Sequence, residues 1–363
     1  MWVQVVAALR SGVWVKAARF GAFFARADVA LDMGTEAFRL AYVDRRSVIE
    51  IPARVTCDQR GRIAAAGRRA LWMEERLPDS WHAVRPVEMS RLSHPAAARH
   101  LVRLLFRQSE RRHLQKPHLW LPRPAGLTPL QRQVLESFLR DMPVSGRTWC
   151  DGPYAAAVGS GLDPGAEAGL LVLDMGAQRT SATILSFGRT VMDETWPDGG
   201  ATWTDALRAV LEDDLRVRVP RPAVETLKRT AEGVLVVTGQ DRITGRVREC
   251  LLPDDYVETT LQPHLGRLCE RLGAMLTRAS PALRMDVQAT GAVLVGNGAL
   301  LPGLRQRLEE GLGLPVRQAA DPGRALVRGL SRLARTAPPN RQMPAQAQAA
   351  EIDLGAELLP LEI

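Results

Sequence analysis

One tetrapeptide occurs twice in this chain, and its residues could bind an anion and a metal ion. Leu-Asp-Met-Gly stands at residues 31–34 and again at residues 173–176. Each copy follows an apolar run that predicts a strand and precedes a second one, at residues 38–43 and 181–187. A repeat in matching context predicts two homologous units, each opening with a β-hairpin.

The chemistry of such a pair follows from its Asp and Gly residues. A glycine turn lets backbone N–H groups converge on an anion, so Gly34 and Gly176 are expected beside phosphate. Asp32 and Asp174 are expected to hold a hydrated magnesium ion, which prefers oxygen ligands and keeps its waters. Two hairpins facing a cleft would clamp the phosphates of a nucleotide. The alternative is a pair of purely structural hairpins.

Composition is typical of a globular protein of the cytosol. The 363 residues predict about two domains or lobes at roughly 100–200 residues each, and the 46% hydrophobic content is enough for substantial cores. The cysteines form no Cys-x-x-Cys pair, so neither a zinc site nor a disulfide framework is expected. They are typical of reduced thiols and are Cys57, Cys150, Cys250 and Cys269.

The net charge of +8 rests almost wholly on arginine, with lysine only at Lys16, Lys116 and Lys228. Such a bias is typical of a GC-rich genome, so no nucleic-acid partner is predicted. A solvated basic surface is the simple interpretation. The alternative is a polyanionic partner such as an anionic membrane.

Strand-like and helix-like segments alternate, which predicts an α/β fold. Thr128 is expected to cap a helix whose first turn holds Pro129. The predicted organisation is a basic, apolar extension (1–27), a first lobe (28–166, small subdomain about 48–82), a second lobe (167–336, small subdomain about 204–255) and a flexible tail (337–363).

Residues 1–27 combine Trp and Phe with scattered basic residues. A secretory signal would place its charge before the apolar stretch. Wound as a helix, the segment has an imperfect polar stripe and an aromatic body, which favours a helix lying in the interface of an anionic membrane. A core-packed or disordered extension is the alternative.

The order of further motifs resembles that of actin-like ATPases, and the MreB/Mbl-type bacterial actin homologues in particular. The resemblance covers roughly residues 28–335. The matching segments are Asp32-Met33-Gly34-Thr35, Val84-Arg85-Pro86, Asp151 to Gly159, Asp174-Met175-Gly176, Gly199-Gly200, Gly296 to Leu304, Gly313 to Val316, Asp321-Pro322 and Arg328-Gly329.

The resemblance implies an actin-like fold, a duplicated ribonuclease-H-like α/β architecture with two lobes around a nucleotide cleft. It also implies head-to-tail filaments, alone or with related actin homologues, on the inner face of the cell membrane. Cell-wall synthesis or membrane-machine proteins are the implied partners, and cell shape is the implied function. A head-to-tail contact is heterologous and propagates as an open filament.

The resemblance also implies site residues. Asp151 takes the position of the catalytic Glu that orients the attacking water, and Asp174 is the second implied catalytic residue. Asp32 and Asp174 would hold magnesium through water. The residues implied to bind ATP are Asp32, Gly34, Thr35, Gly176, Arg179, Thr180, Gly199, Gly200, Lys228, Gly296, Asn297, Gly298 and Ala299.

Departures from the family pattern cluster at the nucleotide. The second phosphate loop loses two glycines at Ala177 and Gln178, which opposes close backbone approach to phosphate, although Arg179 could contact phosphate directly. Glu36 places a carboxylate where it would repel phosphate by about 1 kcal/mol in water, and by several times more if desolvated, unless it points away.

Three further departures concern the catalytic and nucleoside positions. Asp151 is one methylene shorter than Glu, and a small misplacement of a water-orienting group costs a large factor in rate. Ala201 replaces an Asp. The Glu expected beside Lys228 falls on Thr230, and Glu232 would need a shift. We therefore predict at best a weak ATPase, with a nucleotide-degenerate scaffold or adaptor as the alternative.

Overall fold

The computed structural model describes residues 28–45, 47–109, 116–124, 126–230 and 235–338. The strands are β1 (Asp28–Met33), β2 (Ala37–Tyr42), β3 (Val48–Pro52), β4 (Val55–Cys57), β5 (Ile63–Ala66), β6 (His82–Val84), β7 (Val87–Glu88), β8 (Arg91–Leu92), β9 (His118–Pro122), β10 (Gly146–Cys150), β11 (Leu170–Met175), β12 (Thr180–Ser186), β13 (Arg189–Trp196), β14 (Val217–Arg218), β15 (Leu235–Asp241), β16 (Val247–Leu252), β17 (Ala292–Val295) and β18 (Val316–Gln318).

The helices connect these strands. The α-helices are α1 (Arg68–Met73), α2 (Pro95–Gln108), α3 (Pro129–Arg140), α4 (Gly152–Gly159), α5 (Gly200–Leu215), α6 (Arg221–Arg229), α7 (Tyr256–Arg278), α8 (Pro281–Thr290), α9 (Leu304–Leu312) and α10 (Ala325–Thr336). Two short 3-10 helices span Asn297–Leu300 and Pro322–Arg324. Within the described ranges, no helix is long and apolar enough to cross a membrane.

Two five-stranded sheets share one topology. Their orders are β3-β2-β1-β9-β10 and β13-β12-β11-β17-β18. In both, each of the first three strands is antiparallel to its neighbour among them, and the last two run parallel to the strand that carries the tetrapeptide. The repeat is therefore architectural, and the mixed sheets fit the predicted actin-like α/β fold.

The two tetrapeptides end corresponding strands in the same register. Met33 pairs with Phe38, and Met175 pairs with Thr180. Each pair encloses a turn of equal length, at residues 34–37 and 176–179. A position in one turn therefore has a direct counterpart in the other.

The first sheet is covered on both faces, so its central strands are buried throughout. Val29 and Leu31 of β1 lie in a cluster with residues of α2 and α3. Ala30, between them, lies in a different cluster with residues of α10. This alternation follows from the two-residue period of a strand.

Two helices are exchanged between the halves, in the sense that each packs against the sheet of the other half. Helix α4 follows a strand of the first sheet, yet Ala157 lies in a cluster with Val172 of the second. Helix α10 follows the second sheet, yet Val327 and Leu330 cluster with Trp120 of the first. These helices join the two halves, so the predicted division between residues 166 and 167 separates sequence repeats rather than packing units.

The exchanged helices cross with their backbones in contact. A Cβ atom added at Gly329 would lie 1.6 Å from the carbonyl oxygen of Ala155, and one added at Gly159 would lie 1.8 Å from that of Ala325. Neither position can carry a side chain unless a helix moves.

Each half also carries a small three-stranded sheet, β5-β4-β6 or β14-β15-β16. Strand β3, inside the range predicted for the first small subdomain, instead pairs with β2 in the main sheet. The extension at residues 1–27 and the tail beyond residue 338 lie outside the described residues, so the predictions made for them stay predictions.

Candidate functional site

A cleft between the two halves contains two adjoining cavities. The first, of about 280 Å³, lies between the two tetrapeptide turns. The second, of about 320 Å³, lies between the small subdomains beside α5 and α6. Glu36, Gly176, Ala177 and Asn297 line both, so the cavities meet at the second turn.

Most of the predicted site residues line this cleft. The first cavity is lined by Asp32, Gly34, Thr35, Asp174, Gly176, Arg179, Gly296 and Asn297. The second is lined by Gly176, Gly200, Lys228, Asn297 and Gly298. The predicted residues that line neither are Asp151, Thr180, Gly199 and Ala299.

The two turns present backbone donors to the first cavity. The N–H groups of Thr35 and Glu36, and those of Ala177 and Gln178, donate no hydrogen bond within the described part of the chain. Gly34 N–H is used inside its own turn, donating to Ala37 O at 3.1 Å. Four donors from two halves thus remain for an anion.

Two glycines near the second turn are required by protein packing. A Cβ at Gly199 would lie 2.6 Å from the carbonyl oxygen of Gly176, and one at Gly296 would lie 2.5 Å from that of Met175. Their role is to let two segments approach the second turn closely. These segments are the start of α5 and the residue before the 3-10 helix Asn297–Leu300. This role is indirect, because it positions the turn that would meet phosphate.

The hydroxyl of Thr180 is likewise used in a hydrogen bond within the protein. Its side chain is 1% exposed, and its hydroxyl donates to the carbonyl oxygen of Asp198 at 2.7 Å. The bond joins β12 to the segment before α5. A direct contact of Thr180 with phosphate is therefore not what this geometry provides.

The two tetrapeptide aspartates are both buried beside the first cavity. Burial is the largest influence on both, and it raises the pKa of each carboxyl above its ordinary value. Arg39 opposes the shift at Asp32, while Arg179 and Arg39 oppose it at Asp174. The charged forms are thus held at a cost in free energy.

We expect Asp174→Asn to stabilise the nucleotide-free protein by about 1 kcal/mol near neutral pH. Because burial raises the pKa of Asp174 in the folded state, the group contributes stability below its ordinary value of 3.8 and loses it as pH rises through the raised folded value. The advantage of the variant should therefore shrink as the pH is lowered toward about 4. Urea unfolding at several pH values measures it.

The exposed Asp254 offers a matched control for this experiment. Asp254→Asn should change the free energy of unfolding by no more than about 0.5 kcal/mol at any of these pH values. A stability difference for Asp174→Asn that is absent, or that grows as the pH falls, would contradict the buried-charge interpretation.

Glu36, expected to repel phosphate or to point away, is neutralised in place. Both carboxylate oxygens accept from Arg54 Nη2, at 2.9 and 2.7 Å. Arg54 also donates to Glu74 at 3.1 Å and to the carbonyl oxygen of Thr35 at 3.3 Å. The arginine, with 2% of its side chain exposed, ties the first turn to the small subdomain.

Asp151 is placed at the start of α4. Its carboxylate accepts from Tyr154 N at 2.8 Å as a helix N-cap and from Thr190 Oγ1 at 3.4 Å. Burial is the main cause of a raised pKa, and the nearby Asp193 adds to it. Asp151 lines neither cavity, and a catalytic role for it stays a prediction.

Lys228 has a carboxylate partner that the sequence comparison missed. Its Nζ lies 3.1 Å from Glu225, one turn earlier on α6, and donates to Gly200 O at 2.7 Å and Thr204 Oγ1 at 2.6 Å. Thr230, where the partner was expected, only donates to a carbonyl of its own helix. Spacing of three residues on a helix was the signal that could have found Glu225.

Two contacts bridge the cleft directly. Gln178 Oε1 accepts from Met89 N at 2.8 Å, and Glu75 Oε1 accepts from Arg221 N at 2.6 Å. The second tetrapeptide turn therefore uses one of its non-glycine side chains to hold the opposite half. Sequence reasoning treated Gln178 only as a lost glycine.

Residues 26–341, most of the chain, match the family model of the MreB/Mbl protein. This chain belongs to the MreB/Mbl family. The Mbl cell shape-determining protein of Bacillus subtilis is 23% identical over 309 residues, covering 82% of this chain and 92% of the relative. The MreB cell shape-determining protein of Escherichia coli K12 is 24% identical over 321 residues, with 83% and 91% covered.

Solved structures agree with the MreB/Mbl assignment at the level of fold. MreB5 of Spiroplasma citri bound to AMPPNP superposes with a TM-score of 0.79 at 20% identity, covering 84% of this chain and 95% of that one. The MamK double helical filament gives a TM-score of 0.70 at 18% identity, with 86% and 100% covered. The fold is actin-like, as predicted.

The residues of this MreB/Mbl cleft fit a nucleotide better than they fit a magnesium ion. Four free N–H groups suit phosphate, and the cavity beside Lys228 suits a nucleoside. Asp32, however, is already in contact with Arg39, whose Nη1 lies 3.3 Å from its carboxylate. The predicted magnesium role of Asp32 therefore meets a competing cation of the protein itself.

Proposed function

We propose that this MreB/Mbl-family chain is a cytoskeletal protein of cell shape that binds an adenine nucleotide between its two halves. It forms filaments, or joins those of related homologues, on the cytoplasmic face of the membrane. The observation that carries the nucleotide proposal is the set of free N–H groups, from two topologically equivalent turns, at one cavity. The AMPPNP-bound state of the similar MreB5 supports it.

The two cavities would bind different parts of the nucleotide. The first turn (Gly34, Thr35) and the second turn (Gly176 with Arg179) would hold phosphate in the first cavity. The second cavity would hold the nucleoside against α6. The neutralisation of Glu36 by Arg54 removes the main electrostatic objection to phosphate at the first turn.

Hydrolysis is proposed to be slow. Asp151 is one methylene shorter than Glu, uses one carboxylate oxygen as a helix cap and lines neither cavity, which places it poorly for orienting an attacking water. Filament growth would then depend on nucleotide binding more than on turnover.

We expect Gly200→Val to block the nucleoside cavity without unfolding the protein. A Cβ at Gly200 would lie 3.7 Å from Gly176 O and from Lys228 Nζ and 3.8 Å from Gly298 Cα, which is ordinary contact distance. These neighbours line the second cavity, so the isopropyl group would occupy nucleoside space. ATP affinity should fall at least about tenfold, equivalent to about 1.4 kcal/mol.

The measurement is calorimetric titration of ATP into both proteins, with their melting temperatures recorded beside it. Equal ATP affinity in the two proteins would remove the second cavity from the proposal. Failure of the parent chain to bind ATP with or without magnesium would instead favour the alternative, a nucleotide-degenerate scaffold or adaptor for a membrane-associated machine.

Assembly and membrane attachment need a separate experiment. The MamK neighbour is a double helical filament, which supports self-association of this fold. Negative-stain microscopy with ATP should show polymers, and residues 1–27 should recruit them to anionic rather than neutral liposomes. Absence of both polymers and liposome binding at micromolar protein would contradict the cytoskeletal proposal.

A further inference from the structure

Arg39 is a buried residue that lines the first cavity. The residue is 7% exposed and lines that cavity beside both tetrapeptide aspartates. Its Nη1 lies 3.3 Å from Asp32 Oδ2, and its Nε lies 3.1 Å from Glu50 Oε2. A buried cation therefore already stands at the phosphate turns.

The sheet fixes this position. Asp32 on β1 pairs with Arg39 on β2, and Arg39 pairs with Glu50 on β3. Directly paired residues project from the same face with their Cβ atoms about 5 Å apart. The three side chains thus form one acid–base–acid row across three strands, and Arg324 closes its far end with Nε 3.2 Å from Glu50.

The other copy of the turn has no cation at the equivalent strand position, although Arg179 within that turn acts on Asp174. Ser181 stands at the position equivalent to Arg39, because it pairs with Asp174 as Arg39 pairs with Asp32. Asp174 nevertheless lies within the electrostatic reach of Arg39. One guanidinium consequently pairs with Asp32 and acts electrostatically on Asp174, with which it lines the first cavity.

This arrangement leaves few carboxylate oxygens available to ligate a divalent ion. Within the described ranges, no group of three or more His, Cys, Asp or Glu side chains could hold a metal, so magnesium would depend on Asp32 and Asp174 through its waters. Arg39 already occupies one oxygen of Asp32 and would repel a second cation nearby. A guanidinium also binds phosphate oxygens through paired N–H donors.

We propose that Arg39 takes the place of magnesium at the phosphate site, so that this chain binds adenine nucleotide without a divalent ion. The inference rests on the nucleotide binding proposed above. Arg39 would stay paired with Asp32 on one side and donate N–H groups to a nucleotide phosphate on the other, contacting phosphate with a fixed side chain where a hydrated ion would otherwise do so.

The test is the affinity of the full chain for ATP in excess EDTA and in excess magnesium, measured by calorimetry. The proposal expects the two dissociation constants to agree within about threefold. Arg39→Leu should bind ATP at least tenfold more weakly in EDTA and recover with magnesium. Arg39→Lys should keep binding in EDTA, which controls for the loss of packing around the arginine stem.

A second readout follows the metal itself. Manganese added to the nucleotide-free parent chain should show no paramagnetic signal beyond that of the free ion, whereas Arg39→Leu, which frees the Asp32 carboxylate, should show one.

The outcomes separate the two proposals. ATP binding by the parent chain only in the presence of magnesium would overturn the role given to Arg39 and leave nucleotide binding standing. No binding in either condition would overturn both. If Arg39→Leu does not fold, the comparison of EDTA and magnesium on the parent chain decides alone.

Discussion

Gly329→Ala is expected to destabilise the protein by about 3 kcal/mol or more. Overpacking a core against movable side chains typically costs about 1–3 kcal/mol. Here the new methyl group would lie 1.6 Å from the carbonyl oxygen of Ala155, so a whole helix must shift. Helices α4 and α10 each pack on the opposite sheet, and a shift would loosen both. The free energy of unfolding in urea measures the effect.

The long helix α7 supplies the matched control. A Cβ added at Gly266 meets nothing within 4 Å, and alanine is favoured over glycine inside a helix by about 0.5–1 kcal/mol. Gly266→Ala should therefore be neutral or stabilising. If Gly329→Ala unfolds at the same urea concentration as Gly266→Ala, the helices do not cross by backbone contact.

The second large effect is expected at Arg54. Arg54→Met should destabilise the protein by about 2–3 kcal/mol, because removing one partner of a buried ion pair strands the others. Fully buried pairs show about 3–5 kcal/mol, but Glu36 and Glu74 have 37% and 23% of their side chains exposed, so water offsets part of the loss. The variant should also bind ATP more weakly, since Glu36 then faces phosphate uncompensated.

Arg62→Met is the control within the same subdomain. Arg62 pairs with Asp58 at 2.8 Å but has 72% of its side chain exposed, and such surface pairs contribute about 0.2–1 kcal/mol. The double variant Glu36→Gln with Arg54→Met should regain ATP affinity relative to Arg54→Met. Equal stability of the two arginine variants, or no regain in the double variant, would show that Arg54 does not screen the first turn.

The features that could be predicted from sequence are local or repeated. The duplicated tetrapeptide indicated two hairpins, and the structure has them in the same register of two equivalent sheets. Thr128 was expected to cap a helix, and it does so as part of a capping box with Gln131. Such features depend on residues a few positions apart, whose geometry the chain connectivity already constrains.

By itself, then, the sequence determined the α/β class, the actin-like family and the two hairpin turns of the repeat. Only the tertiary structure decided which charged side chains lie beside those turns and in the adjoining cavity. It placed Arg54 on Glu36, Lys228 against Gly200 and Thr204 of α5, and Arg39 between the acids of the first sheet. The physical reason is that ion pairing and burial depend on which elements meet in space. The residue types at positions far apart in the sequence do not specify how far apart those residues lie in the fold. The Leu-Asp-Met-Gly repeat predicted where phosphate would lie, and the fold supplied the cation beside it.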